Sequence, residues 1–133
     1  GDLSSTERSQ VRSDLDDLER QTGCLRFVER TNQKDYIEVL NDPNSGCSSR
    51  VGKDYRGGPQ NLNLASRTLT SGGCFNRGII QHEFIHALGL HHEQSRSDRD
   101  SFVTINYDNI RDSDRYKHNF DVAPRSDTLG SPY

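Results

Sequence analysis

The stretch HEFIHALGLHHEQSRSDRD, residues 82–100, is the part of the sequence that most constrains the fold. Four of the chain's five histidines lie within its first eleven positions. His82 and His86 are four residues apart in a segment with helical apolar spacing, so their imidazoles are expected about 40° apart on one helix face. Glu83 would then flank an ion held by the two histidines. The His-Glu-x-x-His pattern is that of zinc peptidases, although paired histidines on an amphipathic helix are often only polar surface residues.

A glycine and two further histidines extend this pattern. Gly89 follows His86 by three positions, and glycine adopts a left-handed helix end without steric penalty, which lets the chain turn back beneath the helix. His91 and His92 both follow, and the longer pattern H-E-x-x-H-x-x-G-x-x-H selects His92 as the third ligand. We expect His91 to point to solvent or to the rim of the cleft. Three imidazoles without a thiolate leave one position of a zinc ion to water, as in catalytic sites, so we predict one Zn²⁺ per chain.

Composition excludes several classes of function. The 133 residues are 29% hydrophobic and 28% charged, with a net charge of −3, which suits one compact domain or a piece of a larger one. Basic residues are scattered among acidic ones, so we expect no nucleic-acid partner. No apolar run approaches membrane-spanning length, so we expect no membrane insertion. Three cysteines, none in a Cys-x-x-Cys pair, argue against a four-thiolate zinc site or a redox motif.

Periodicity and turn residues predict an α+β domain. Ser4 to Glu7 offers N-caps for a first helix that ends at Gly23, and a second helix with an apolar stripe from Ile79 to Leu88 ends at Gly89. Strands are predicted at residues 24–28, 36–40, 48–51, 61–64 and 102–105. Beyond Tyr107 we expect loop with one helical turn.

The residues after the third histidine complete a much longer motif. The stretch matches every fixed position of H-E-x-x-H-x-x-G-x-x-H-E-x-x-R-x-D-R-D, the signature of the astacin family of metzincin zinc endopeptidases, through Glu93, Arg96, Asp98, Arg99 and Asp100. Cys24-Leu25-Arg26-Phe27-Val28 resembles the family's C-I-R-F-V strand, and residues 102–107 resemble the strand that follows its signature. The resemblance therefore covers nearly the whole chain.

The resemblance implies a zincin-like fold that is truncated at both ends. Residues 1–92 would form the N-terminal subdomain, a twisted mixed sheet with an N-terminal helix and the zinc helix, and residues 93–133 the start of a C-terminal subdomain. Metzincins carry a methionine turn below the zinc, and astacins add a tyrosine there, yet this chain has no Met. We interpret the absence as truncation, since Cys24 matches a family cysteine bonded near the missing C-terminus. Because the family has a strand before its first helix, we expect that Gly1 is not the mature terminus that meets Glu93. Nothing in the spacing of Tyr107 or Tyr116 makes either a substitute for that tyrosine.

The family's chemistry implies a role for each matching residue. His82, His86 and His92 would hold zinc, and Glu83 would be the general base for a zinc-activated water that hydrolyses internal peptide bonds of extended protein substrates. Glu93 would pair with an N-terminus freed by pro-segment removal; the alternative is a surface carboxylate.

Other matching positions would have structural or binding roles. Cys47 and Cys74 match a family disulfide, and the charged residues 96–100 would brace a loop by ion pairs, or form a solvated charge run. Ser48, Ser49 and Arg50 are candidates for an edge strand that pairs with substrate, although an ordinary solvent-facing strand explains them equally well.

Three classes of function remain open on the residues alone. The first is a secreted zinc endopeptidase with a pro-segment or additional domains in its precursor. The second is a catalytically incompetent zinc-binding fragment or pseudo-enzyme that lacks the methionine turn. The third is a module that holds peptides without cutting them. A purely structural zinc site does not need Glu83, so its presence favours catalysis.

Overall fold

The computed structural model describes residues 3–67, 72–123 and 127–133. The chain divides into two compact units, Gly1–Leu90 and His91–Tyr133. The first unit contains two helices and a sheet, and the second contains short helical turns. None of the described helices is both long enough and apolar enough to cross a membrane.

The first helix, α1, spans Ser5–Thr22 and has the ends that its sequence predicts. The side-chain oxygen of Ser4 accepts from the N–H of Glu7 at 3.3 Å, and the Glu7 carboxylate accepts from the N–H of Ser4 at 2.8 Å. This capping box pairs two N–H groups that a helix start otherwise leaves unpaired. Gly23 ends the helix with φ +67°, in the left-handed region. The apolar residues of its inner face are buried: Val11, Leu15 and Leu18.

The sheet is mixed, as the predicted fold class requires. Its strands are β1 (Tyr36–Leu40), β2 (Cys47–Ser49) and β3 (Pro59–Leu64), in the order β1-β3-β2. β1 runs parallel to β3 and β2 runs antiparallel to it. The strand predicted at residues 48–51 thus begins one residue earlier and ends two residues sooner, because Arg50 and Val51 leave the ladder.

The second helix, α2, spans Arg77–Ala87 and packs against the sheet and against α1. Its N-cap Asn76 accepts from the N–H of Gly78 at 2.9 Å. The predicted apolar stripe is wider than the face that is buried, since Ile79 and Leu88 are exposed. The core consists of side chains from both helices, the sheet and the adjoining segments: Val11, Leu15, Leu62, Leu64, Ala65, Cys74, Ile80 and Phe84.

The strand predicted at residues 24–28 is wrong. Residues 25–30 have no regular secondary structure, although their apolar residues alternate as in a strand. The N–H of Phe27 donates to Glu19 Oε1 at 2.5 Å, and its carbonyl accepts from Arg12 Nη1 at 2.9 Å. Side chains of α1 therefore satisfy the backbone groups that a sheet ladder would otherwise pair.

The second unit consists of single helical turns. They are the 3₁₀ turns Glu93–Ser95, Arg99–Ser101, Tyr107–Asn109 and Lys117–Phe120 and a short α3, Ser113–Tyr116. The strand predicted at residues 102–105 is also wrong, because the N–H groups of Phe102 and Val103 both donate to the carbonyl of Arg99 and continue the preceding turn.

Candidate metal centre

Helix α2 places His82 and His86 one turn apart on the same face. Their ring centroids lie 4.4 Å apart and the rings are nearly perpendicular, with an interplanar angle of 85°. Glu83 lies next to His82 on the helix and is only 6% exposed. The period of the helix, which the sequence already indicates, accounts for all three positions.

The helix end orients the second imidazole. The N–H of Gly89 donates to the carbonyl of His86 at 2.8 Å, and the N–H of Leu90 donates to that of Ile85 at 3.3 Å. These two bonds form a Schellman motif, for which Gly89 supplies a φ of +110°. The turn also places the carbonyl of Leu90 2.7 Å from His86 Nδ1. Because a carbonyl only accepts, Nδ1 carries the proton and Nε2 presents its lone pair, as in many metal-bound histidines.

A third histidine completes a group that can hold a metal ion. His82, His86 and His92 each present one ring nitrogen, and these nitrogens lie within 4.8 Å of one another. Among the described residues, His91 is not part of this group. His92 is the histidine that the spacing after Gly89 selects. Three imidazole nitrogens are a donor set that suits Zn²⁺.

The surroundings of the helix shift two pKa values in opposite directions. Burial lowers the pKa of His82, and the positive charge that His86 can carry lowers it further. A lower pKa favours the neutral form of His82, which is the form that binds a metal. Burial raises the pKa of Glu83, and the charge of His86 offsets part of this increase. A buried carboxylate whose pKa is raised is a stronger proton acceptor than one in water.

The candidate substrate residues lie at the sheet edge or just beyond it. Ser48 and Ser49 belong to β2, which has β3 on one side and no partner strand on the other among the described residues. Arg50 lies outside the strand, and its Nη1 pairs with Asp54 Oδ2 at 2.9 Å. Of the three candidate residues, Arg50 is therefore not part of the strand, and its exposed side chain forms a local ion pair.

The predicted disulfide is present between Cys47 and Cys74. It joins the first residue of β2 to the segment just before α2. Cys24 is a free and exposed thiol.

The charged residues of the signature form the expected ion pairs within the second unit. Arg96 makes two parallel bonds of 2.9 Å to Asp98 and a bond of 2.8 Å to Glu93 Oε1. Arg99 pairs with Asp100 at 3.0 Å. Both arginines are buried, so residues 96–100 are a bracing network instead of a solvated charge run. The Glu93 side chain is 57% exposed, and the residue expected not to meet it, Gly1, lies outside the described residues.

One contact of the site does not follow from the sequence analysis. The N–H of Gly52 donates to the carbonyl of His86 at 2.9 Å, which connects the segment after β2 to a candidate ligand. Gly52 has a φ of +73°, so the glycine itself is the one feature of the sequence that could have indicated an unusual backbone here. Its partner, the carbonyl of His86, is 34 positions away in the chain, and no nearby residue type indicates that this carbonyl accepts the bond.

Comparison with known proteins places these residues in a family. The family model described as Astacin, a peptidase family, matches residues 1–133. The chain belongs to the astacin family. Among its relatives, High choriolytic enzyme 1 of Oryzias latipes is 46% identical over 110 residues, which are 83% of this chain and 36% of that protein. Zinc metalloproteinase nas-14 of Caenorhabditis elegans is 42% identical over 134 residues, 98% of this chain and 25% of that protein.

A solved structure supports the same assignment. High choriolytic enzyme 1, a hatching enzyme zinc-protease from Oryzias latipes, superposes with a TM-score of 0.80 at 39% identity, over 100% of this chain and 60% of that chain. This astacin-family chain thus spans about a third of the length of the choriolytic enzyme and a quarter of that of nas-14.

Proposed function

We propose that this protein is a zinc-dependent endopeptidase that hydrolyses internal peptide bonds of extended protein substrates. The observation that carries the proposal is the group of three imidazoles beside a buried glutamate, in a chain of the astacin family. The names of its relatives, which include a zinc metalloproteinase and a hatching enzyme zinc-protease, support the same class of reaction.

His82, His86 and His92 would hold the zinc ion. When bound, zinc makes a water molecule nucleophilic at neutral pH and polarises the carbonyl of the scissile bond. The lowered pKa of His82 favours the neutral ring that binds a cation, and the carbonyl bonded to His86 Nδ1 leaves Nε2 of that ring to face the ion. One Zn²⁺ per chain is therefore the expected cofactor.

Glu83 would be the general base. Its carboxylate takes a proton from the attacking water and then delivers it to the nitrogen of the leaving amine. Burial, which leaves this side chain 6% exposed, raises its pKa and so makes the carboxylate a better proton acceptor in the first step. The alternative is a zinc-binding protein without catalysis, in which Glu83 would have no chemical role.

The unpaired edge of β2 would bind the substrate as an additional strand. Extended peptides bind to sheet edges through main-chain hydrogen bonds. Ser48 and Ser49 lie in that strand, and Arg50 would contact the substrate only beyond it. Nucleic acid is not an expected partner.

Secretion is the localisation that fits a disulfide-bonded protease. Disulfides persist in oxidising compartments and are rare in the cytosol, and this chain has one between Cys47 and Cys74. We also propose a precursor with a pro-segment or additional domains. Within the described chain, residues 1–92 would form the N-terminal subdomain and residues 93–133 the start of the C-terminal subdomain.

Metal analysis and a cleavage assay on the protein and on Glu83→Ala test the proposal. We expect about one zinc per chain in both and a loss of about 100-fold or more in cleavage of a quenched fluorescent protein by the variant. Zinc in both proteins without cleavage in either would support the non-catalytic alternative. Equal cleavage by both would exclude Glu83 as the base, and no zinc in either would exclude the three-histidine site.

A further inference from the structure

Strand β2 and the segment that follows it are attached to helix α2 at two points. The first attachment is the disulfide from Cys47 to Cys74, whose carbonyl accepts from the N–H of Asn76, the N-cap of α2, at 2.8 Å. The second is the bond of 2.9 Å from the N–H of Gly52 to the carbonyl of His86. One attachment is therefore near each end of the helix.

The chain from Cys47 to Gly52 and the helix from Asn76 to His86 cover similar distances between the two attachments. From Cys47 to Gly52 are five residue steps, which cover at most about 17 Å of extended chain. From Asn76 to His86 are ten helical steps, which cover about 15 Å. A nearly extended segment can therefore join the two points only if it runs alongside α2 in the same direction. This leaves little freedom for β2 to slide along the helix.

The second attachment depends on two glycines that come close together. Gly52 and Gly89 have φ values of +73° and +110°, and residues with a Cβ rarely adopt such positive φ values. A Cβ on Gly52 would lie 3.7 Å from the Cα of Gly89, which is ordinary contact. Alanine at position 52 is thus disfavoured by backbone strain and not by a clash. Relief of that strain requires φ to change, and the N–H then turns away from His86.

The acceptor of this bond is the backbone of a candidate zinc ligand. The His86 carbonyl also accepts from the N–H of Gly89, and the His86 ring is held by the carbonyl of Leu90. The bond from Gly52 therefore ends on the residue whose imidazole defines the metal position. It connects the edge that would bind substrate directly to the site that would cut it.

We propose that Gly52 is a positioning residue for peptide hydrolysis. Its N–H sets the register of the β2 edge against α2, so that a substrate paired with β2 presents one peptide bond to the site of His82, His86 and Glu83. This inference rests on the proposed endopeptidase function. It assigns to Gly52 no contact with the reacting atoms.

The test compares Gly52→Ala with Gly23→Ala in the protein as its natural gene encodes it. Gly23 is a matched control, because its φ of +67° imposes similar strain on alanine, and it has no neighbour within 4 Å of an added Cβ. We expect Gly52→Ala to lower kcat/KM about 10- to 100-fold for a long peptide that reaches β2. For a short peptide that does not reach β2, we expect Gly52→Ala to have nearly the kcat/KM of the unsubstituted protein, and its zinc content should also be unchanged. Gly23→Ala should cleave both peptides nearly as well as the unsubstituted protein does. Equal losses for the long and short peptides, or equal losses in the two variants, would overturn the positioning role.

Hydrogen exchange separates this inference from the proposed function. Activity of the unsubstituted protein decides whether it is a peptidase at all. Amide exchange at residues 47–52, followed by mass spectrometry, tests the attachment without turnover, and it is expected to be faster in Gly52→Ala than in Gly23→Ala. The same exchange rate in both variants would overturn the inference even if the protein cleaves peptides.

Discussion

Removal of the Cys47–Cys74 disulfide is expected to lower the free energy of unfolding by about 3.5 kcal/mol. The bond closes a loop with a sequence separation of 27. For a loop of this length, the chain-entropy relation gives roughly 12 cal/mol/K of lost freedom in the unfolded chain, or about 3.5 kcal/mol near room temperature. Since small domains are stable by roughly 5 to 15 kcal/mol, this one bond supplies a large part of the total.

Urea unfolding of the protein and of the Cys47→Ala/Cys74→Ala double variant measures this contribution. Circular dichroism should show a lower midpoint for the variant at the same zinc concentration, because bound metal itself stabilises the folded state. A reductant provides the control: it should destabilise the unsubstituted protein and leave the variant unchanged. Peptide mapping without reduction should recover Cys47 and Cys74 in one linked peptide.

A small effect would refute the reasoning. If the double variant lost less than about 1 kcal/mol, the unfolded chain would already be restricted between these positions, and the loop-entropy account would be wrong. If mapping recovered the two cysteines unlinked, the disulfide itself would be absent. In the second case, of the two attachments between this segment and α2, the bond from Gly52 would remain.

Two further predictions concern a buried charge and the choice of the third ligand. Asp14 is 7% exposed, its Oδ2 has no hydrogen-bond partner in the described part of the chain, and burial raises the pKa of its carboxyl despite the charge of Arg77. The folded protein then binds the proton more tightly than the unfolded chain, so the stability linked to this group is present below the unfolded pKa and is lost as pH rises through the folded one. Asp14→Ala should therefore raise the free energy of unfolding by about 1 kcal/mol at neutral pH. This gain should shrink as the pH is lowered. Thermal unfolding measures it, and the same difference between the two proteins at every pH would contradict the prediction. His92→Ala should lose most of the bound zinc by atomic absorption while His91→Ala keeps it, and equal losses would contradict the choice of the third ligand.

Much of the candidate site follows from local sequence. The positions of His82, Glu83 and His86 depend only on the helical period, and the turn after them depends on the one residue, Gly89, that tolerates its φ. The ends of α1 are equally local, because Ser4 and Glu7 cap each other and Gly23 stops the helix. Such features involve partners within a few residues, so a pattern in the sequence is enough to predict them.

The strands were predicted less well because a strand needs a partner from elsewhere in the chain. Residues 24–28 alternate as a strand does, yet the backbone groups of Phe27 bond to Arg12 and Glu19. Residues 102–105 have strand composition but follow a 3₁₀ turn that takes up the first two N–H groups. β-propensity describes how well a residue fits a sheet and does not supply the neighbouring strand.

The sequence by itself determined the family, the two helices and the three histidines whose spacing suits a metal. These depend on residue identity and on the regular geometry of a helix, which any local segment can express. Only the tertiary structure decided the length of β2, the partners of the Phe27 backbone and the bond from Gly52 to the carbonyl of His86. Those contacts join backbone groups that every residue has, so no residue type marks them, and only the packed chain selects which groups meet.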